Sequence, residues 1–293
     1  MLTPTNIYRA CALYCRPATD SVLYGLVDHA GFPGLAARLT ESGAQWISLF
    51  ESQDPDILSV APLLVRIGTG QEGIRQRGVV RWVVEHGTYA SCIMLMASPL
   101  PLQQLAERLR PRLEGLLPEN MDILLRFFDP RVFEQLMVVL SDEQKQAFLS
   151  VAAHWWFVDR RGQLQDVASK FERADNFVAP LELSTVQEAG LIDASEPDQV
   201  AQLLQSGAPN DYQTLRQGQR HDFILRHMAA ARSVGIQATH ELSLYCVLAL
   251  FYGEEFATQK SWQAALQDVR EKKMSLSEAA AQIEMNDSMT GQT

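Results

Sequence analysis

The chain has 293 residues, of which 47% are hydrophobic and 20% are charged, a composition typical of a soluble globular protein long enough for two domains. Its formal net charge of −10 argues against a nucleic acid as partner, because phosphate binding requires a basic surface. No apolar run approaches the roughly 20 residues of a membrane span, no secretory leader pattern is evident, and the four cysteines form no disulfide or zinc pattern, so we expect a cytoplasmic protein without membrane insertion or bound metal.

Short apolar runs alternate with helical patterns in the first half of the chain, which predicts an α/β lobe with a mostly parallel sheet flanked by helices. The expected strands lie near 22–28, 45–50, 63–67, 91–97 and 121–128. The expected helices lie near 32–42, 73–86, 99–110, 130–140 and 142–150. A hairpin of 154–158 and 163–168 is expected to close this lobe.

The strand pattern disappears after Ala168, and this change predicts a second, all-α lobe. We assign 1–170 to the α/β domain, 171–182 to a charged connector, 183–285 to the helical domain and 286–293 to a frayed tail. Within the helical domain, Tyr212–Ser233 has the pattern of one long helix, and Glu241–Tyr252 is the most apolar segment. The second of these helices should therefore form the core of its lobe.

A nine-residue stretch, Leu124–Val132, joins a strand to a helix through a charged corner. Met121–Phe128 is nearly all apolar, as expected of a strand that is covered on both faces. Asp129 stands where a helix N-cap belongs, and Pro130 occupies the first helical position, where its missing N–H is not needed. The sequence alone therefore predicts a capping role for Asp129.

The sequence of this corner also resembles the signature of the type VI secretion effector-chaperone (adaptor) family, a domain long catalogued as of unknown function. The matching residues are Arg126-Phe127-Phe128-Asp129-Pro130-Arg131-Val132. Further segments match that family in the same order: Leu23–Asp28, Trp46–Phe50, Ala61–Val65, Trp82–Gly87 and Trp156–Asp159. The resemblance spans roughly 22–168, and Thr88-Tyr89 departs from it where family members often carry a Gly-Trp pair. It implies a non-catalytic adaptor of a Gram-negative bacterium that binds a cognate effector toxin and helps to load it onto a VgrG-type spike protein.

Four charged residues at the signature could form a binding site. Asp28 and the strand that carries Arg126 would reach the carboxyl edge of a parallel sheet, where α/β folds bind ligands. Together with Asp129 and Arg131, they predict either an ion-pair network that fixes the strand ends or a pocket for a partner. An enzyme that uses Asp28, Arg126 and Asp129 on a phosphorylated or carboxylated small molecule is the alternative from another class.

A second candidate surface lies in the helical domain, where Arg216, Arg220 and His227 fall near one face of the expected long helix. Such a stripe is either a solvated helix face or a surface for an acidic segment of a partner. No nucleotide loop, hydrolase elbow or metal-binding helix motif occurs, so we expect no cofactor and no catalytic residue. A third reading of the chain is an immunity protein that neutralises a toxin.

Overall fold

The computed structural model describes residues 3–11, 14–15, 20–52, 54–68 and 77–290. Its internal contacts divide the chain into two compact units, Met1–Ile192 and Asp193–Thr293. The sequence-based domain limits, with a connector at 171–182, remain a prediction. Part of the helix expected near 73–86 falls outside the described residues.

The first unit contains strands and helices in alternation. The strands are β1 Val22–Asp28, β2 Gln45–Ser48, β3 Pro62–Arg66, β4 Ile93–Ser98, β5 Glu114–Leu117, β6 Met121–Leu124, β7 His154–Val158, β8 Leu164–Ala168 and β9 Leu181–Glu182. The helices are α1 Pro4–Cys11, α2 Leu35–Glu41, α3 Pro55–Ser59, α4 Arg77–Gly87, α5 Leu102–Leu109, α6 Pro130–Val139 and α7 Asp142–Leu149, and a further helix, α8 Thr185–Gly207, runs on into the second unit.

Six strands form the main sheet in the order β2-β3-β1-β4-β7-β8. Every neighbouring pair is antiparallel, so the predicted mostly parallel sheet is wrong. The expected closing hairpin is present as β7 and β8. The strands β5, β6 and β9 form a separate three-stranded sheet, in which β5 pairs antiparallel with β6 and parallel with β9.

Burial on both faces explains why the sheet resembles a parallel one in sequence. One face packs through Tyr24 and Leu26 into a core that includes Phe133 and Phe148 of the helices α6 and α7. The opposite face packs through Leu23 and other residues against the helices α2 and α4. The central strands are therefore almost continuously apolar, and an apolar run does not encode the direction of its neighbours.

The predicted strand 121–128 is only half present. Strand β6 ends at Leu124, a residue that is 53% exposed, and it belongs to the smaller sheet. The buried residues of this stretch, Leu125, Phe127 and Phe128, follow in irregular backbone. The apolar run therefore marks a core-filling loop after a short edge strand rather than one long buried strand.

Helices are the regular elements of the second unit in its described residues. Beyond α8 it contains α9 Pro209–Thr214, α10 Arg220–Ser233, α11 Thr239–Tyr252, α12 Lys260–Arg270 and α13 Leu276–Thr290. Helix α11 supplies much of its core, as predicted, and ends at Gly253 with φ +92°. The predicted single helix Tyr212–Ser233 is wrong, because extended backbone at Leu215 and a 3₁₀ turn at Gln217–Gln219 separate α9 from α10. Of the helices described, none combines the length and apolarity needed to cross a membrane.

Candidate functional site at the Asp28–Asp129 corner

Asp28 is the last residue of β1 and is held at three points. Its backbone N–H donates to the carbonyl of Cys92 at 3.0 Å. Its carboxylate accepts the N–H of Ala30 at 3.0 Å and the Nη2 of Arg126 at 2.8 Å. The side chain is only 6% exposed, so this carboxylate is buried with both oxygens bonded, as a buried charge requires.

Asp129 begins α6 and confirms the predicted N-cap. Its Oδ1 accepts the N–H of Arg131 at 2.9 Å, and Pro130 occupies the first helical position. The Arg131 guanidinium folds back onto the same carboxylate, with Nη2 at 2.7 Å from Oδ2 and Nε at 3.0 Å from Oδ1. Asp129 therefore combines a helix cap with a bidentate ion pair.

Cys92 is buried beside this corner, where its carbonyl accepts the N–H of Asp28. Burial, as the largest cause, together with the charges of Asp28 and Asp129, raises the pKa of this thiol to about 12. The thiol therefore remains protonated at neutral pH and is a poor nucleophile. Arg126 joins the two aspartates, because its guanidinium binds the Asp28 carboxylate and its carbonyl accepts the N–H of Asp129 at 2.9 Å.

Asp28, Arg126, Asp129 and Arg131 lie together, as predicted. The predicted reason, a shared carboxyl edge of a parallel sheet, is wrong. Arg126 follows a strand of the smaller sheet, so it does not extend from a neighbouring parallel strand. Its guanidinium lies 5.4 Å from the Phe128 ring centroid and its side chain is 49% exposed. The corner therefore holds two buried carboxylates in ion pairs with arginines that partly face solvent, which fits the ion-pair network offered as one alternative from the sequence.

The predicted basic stripe does not form on one helix face. Arg216 is exposed and precedes the 3₁₀ turn, whereas Arg220 begins α10 and lies 4.7 Å over the buried Tyr212 ring. His227 is buried beside Phe223, with ring centroids 4.3 Å apart. Burial lowers the pKa of His227, and the nearby charge of Glu254 opposes that effect. His227 therefore belongs to the core of the second unit.

Sequence reasoning missed an arginine that is completely buried in the first unit. The Arg112 side chain is 0% exposed, and its Nη2 lies 2.8 Å from Asp175 Oδ1 within the expected connector. It follows Arg110-Pro111, a sequence that resembles a solvated loop and carries no local signal of burial. Only the tertiary fold brings Asp175 to it.

In the described ranges, no three His, Cys, Asp or Glu side chains come together as a metal ion would require. Residues 23–147 match the model of a family described as "Domain of unknown function (DUF4123)". This match covers less than half of the chain and includes all four corner residues. A search of curated proteins and one of solved structures found no match to the chain.

Proposed function

We propose that this protein is a non-catalytic cytoplasmic adaptor that binds a cognate type VI secretion effector and helps to load it onto a VgrG-type spike protein. The observation that supports this proposal most directly is the signature Arg126–Val132, which resembles that adaptor family and lies inside the family-model match at 23–147. A Gram-negative bacterium is the setting that this resemblance implies.

The geometry of the corner favours binding over turnover. Both carboxylates are occupied by backbone N–H groups and arginines, and the adjacent thiol is kept protonated. A general acid or base needs an accessible group that can exchange a proton with a substrate. The half-exposed faces of Arg126 and Arg131 suit contact with a partner protein instead.

An adaptor binds two partners, and the two compact units of the chain provide separate surfaces for them. We assign effector contact to the second unit, including Arg216 and Arg220, and spike contact to the signature corner of the first. His227, which the sequence suggested as part of this surface, is buried and would support it only through packing.

The test is deletion of the gene in its native bacterium, followed by measurement of effector secretion and of effector bound to the spike. We expect both to fall and to recover when the intact gene is restored. Unchanged secretion would contradict the proposal. If the deletion leaves secretion intact but makes the strain sensitive to the toxin, the protein is an immunity protein. Detection of a small-molecule product that depends on Asp28 would favour the enzyme instead.

A further inference from the structure

An open cleft of about 430 Å³ lies on the first unit between α7 and the segment 176–182. Ala147, Phe177, Pro180 and Leu181 provide apolar lining. Val178, in the same segment, also lines the cleft and is 79% exposed. Several apolar side chains grouped in one concave setting are a common feature of binding sites, whereas single exposed apolar residues are ordinary.

The segment that forms one wall is anchored, so the cleft exists before any partner binds. Arg112 donates to the carbonyls of Phe148 and Ala147 on α7, at 2.7 and 3.0 Å, and to both carboxylate oxygens of Asp175. Its guanidinium also lies 4.5 Å from the Phe177 ring centroid. A preformed site avoids the entropy loss of ordering a loop on binding.

The other end of the wall is fixed by β9. Leu181 and Glu182 pair with β5, and the side-chain amide of Gln144 on α7 donates to the carbonyl of Glu182 at 2.9 Å. A buried arginine is unfavourable unless its charge is paired and its N–H groups are hydrogen-bonded. Arg112 meets this condition through its hydrogen bonds to α7 and its ion pair with Asp175, and these contacts hold the cleft wall against α7.

The cleft has an acidic character. Glu143 on α7 and Glu182 on β9 both line it and are both exposed. Neither carboxylate makes a hydrogen bond or ion pair with another side chain in the part of the chain that the structure describes. Two unpaired negative charges beside apolar side chains complement a group that is cationic at its tip and aliphatic along its stem.

We propose that this cleft binds an extended segment of the client protein in which lysine or arginine residues alternate with apolar ones. The aliphatic stem of the basic residue would lie on Val178 and Phe177, and its charged end would reach Glu143 and Glu182. The identity of the client as a secreted effector rests on the proposed function, to which the cleft adds a contact on the first unit besides the one assigned to Arg216 and Arg220. The chemistry of the bound segment rests on the cleft alone.

The first test uses the full chain and two synthetic hexapeptides, one alternating leucine with arginine and the other alternating leucine with glutamate. We expect calorimetry to detect binding of the arginine peptide only. The double variant E143Q/E182Q should bind it about tenfold more weakly, because both partly exposed ion pairs with the peptide would be lost. The matched control E41Q/E85Q removes two exposed glutamates from α2 and α4 and should bind normally.

Equal binding of both peptides, or no effect of E143Q/E182Q, would overturn the proposal. Self-association of the chain that V178D abolishes would also overturn it, because the cleft would then be an interface between copies. A second test measures client association of the same variants. Loss of effector secretion on gene deletion with normal client binding by E143Q/E182Q would leave the adaptor function standing and exclude the cleft as the client site.

Discussion

The first unit contains two arginine–aspartate pairs with the same separation and opposite burial. Arg126 and Asp28 are 2.8 Å apart, with the arginine 49% and the aspartate 6% exposed. Arg112 and Asp175 are also 2.8 Å apart, with the arginine 0% and the aspartate 24% exposed. At each site, backbone groups form further hydrogen bonds with the buried partner. Asp28 accepts from an N–H, and Arg112 donates to carbonyls. The pair distance alone therefore does not tell how much each site contributes to stability.

Replacing the buried guanidinium should have the largest effect. Arg112→Met leaves Asp175 without its cation and several carbonyls without a donor, so we expect a loss of roughly 3 to 5 kcal/mol in the free energy of unfolding. Urea denaturation measures this loss. Arg126→Met is the comparison: Asp28 keeps the Ala30 N–H, so roughly 1 to 2 kcal/mol is expected there. Equal losses would show that burial does not separate the two pairs.

The Arg112–Asp175 pair should also respond to acid. Burial alone would raise the pKa of Asp175, but the hydrogen bonds and charge of Arg112 hold that pKa below its usual value. A carboxylate with a depressed folded-state pKa stabilises the protein above its unfolded pKa, and this stabilisation is lost as the pH falls through the folded value.

We therefore expect the difference in unfolding free energy between the parent protein and Asp175→Asn to be constant near neutral pH and to shrink below about pH 4. Urea unfolding over a pH series measures it. A difference that shrinks already near neutral pH would mean that another group controls this site.

Asp129→Ala should have a smaller effect. It removes an N-cap that contributes about 1 kcal/mol and a partly exposed ion pair that contributes up to about 1 kcal/mol, so the unfolding free energy should fall by about 1 to 2 kcal/mol. Asp129→Asn keeps a capping oxygen and should lose less. A variant that keeps full thermal stability but no longer binds the spike would instead identify Asp129 as a contact residue.

Local signals were predictable from the sequence because their causes are local. Asp129 caps the helix two residues from its donor, and β1 occupies the predicted residues because its apolar run is short and bounded. Strand direction was not predictable, because helices cover both faces of the sheet and so remove the alternation that normally marks an antiparallel strand. The expected edge of a parallel sheet placed Asp28 near Arg126, and the two residues do meet across 98 positions, but the sheet is antiparallel and Arg126 follows a strand of the smaller sheet.

Arg112 and the second unit show a different limit. The burial of Arg112 depends on Asp175, 63 residues away, and no sequence spacing reports such a contact. The break between α9 and α10 had one weak signal in Gly218, which the apolar periodicity of the flanking helices obscured. That break separates Arg216 from Arg220 and turns a single predicted stripe into two different environments.

The smallest effect on stability, and the one that separates these environments, is expected for Arg216→Glu. Arg216 is exposed and its side chain has no ion pair among the described residues, so the unfolding free energy should change by no more than about 0.5 kcal/mol. Arg220→Glu removes the guanidinium from the Tyr212 ring and its hydrogen bond to the Leu215 carbonyl, so its unfolding free energy should fall by about 1 kcal/mol more.

If the second unit contacts the client, the double variant R216E/R220E should bind the client more weakly at low salt. The difference should fade as salt screens exposed charges beyond about 8 to 10 Å. Arg270→Glu with Lys272→Glu, a double reversal of exposed residues in the same unit, is the control for net charge. Equal weakening by this control would assign the effect to the overall field of an acidic protein, and undiminished binding by the double variant would make Arg216 and Arg220 an ordinary solvated surface.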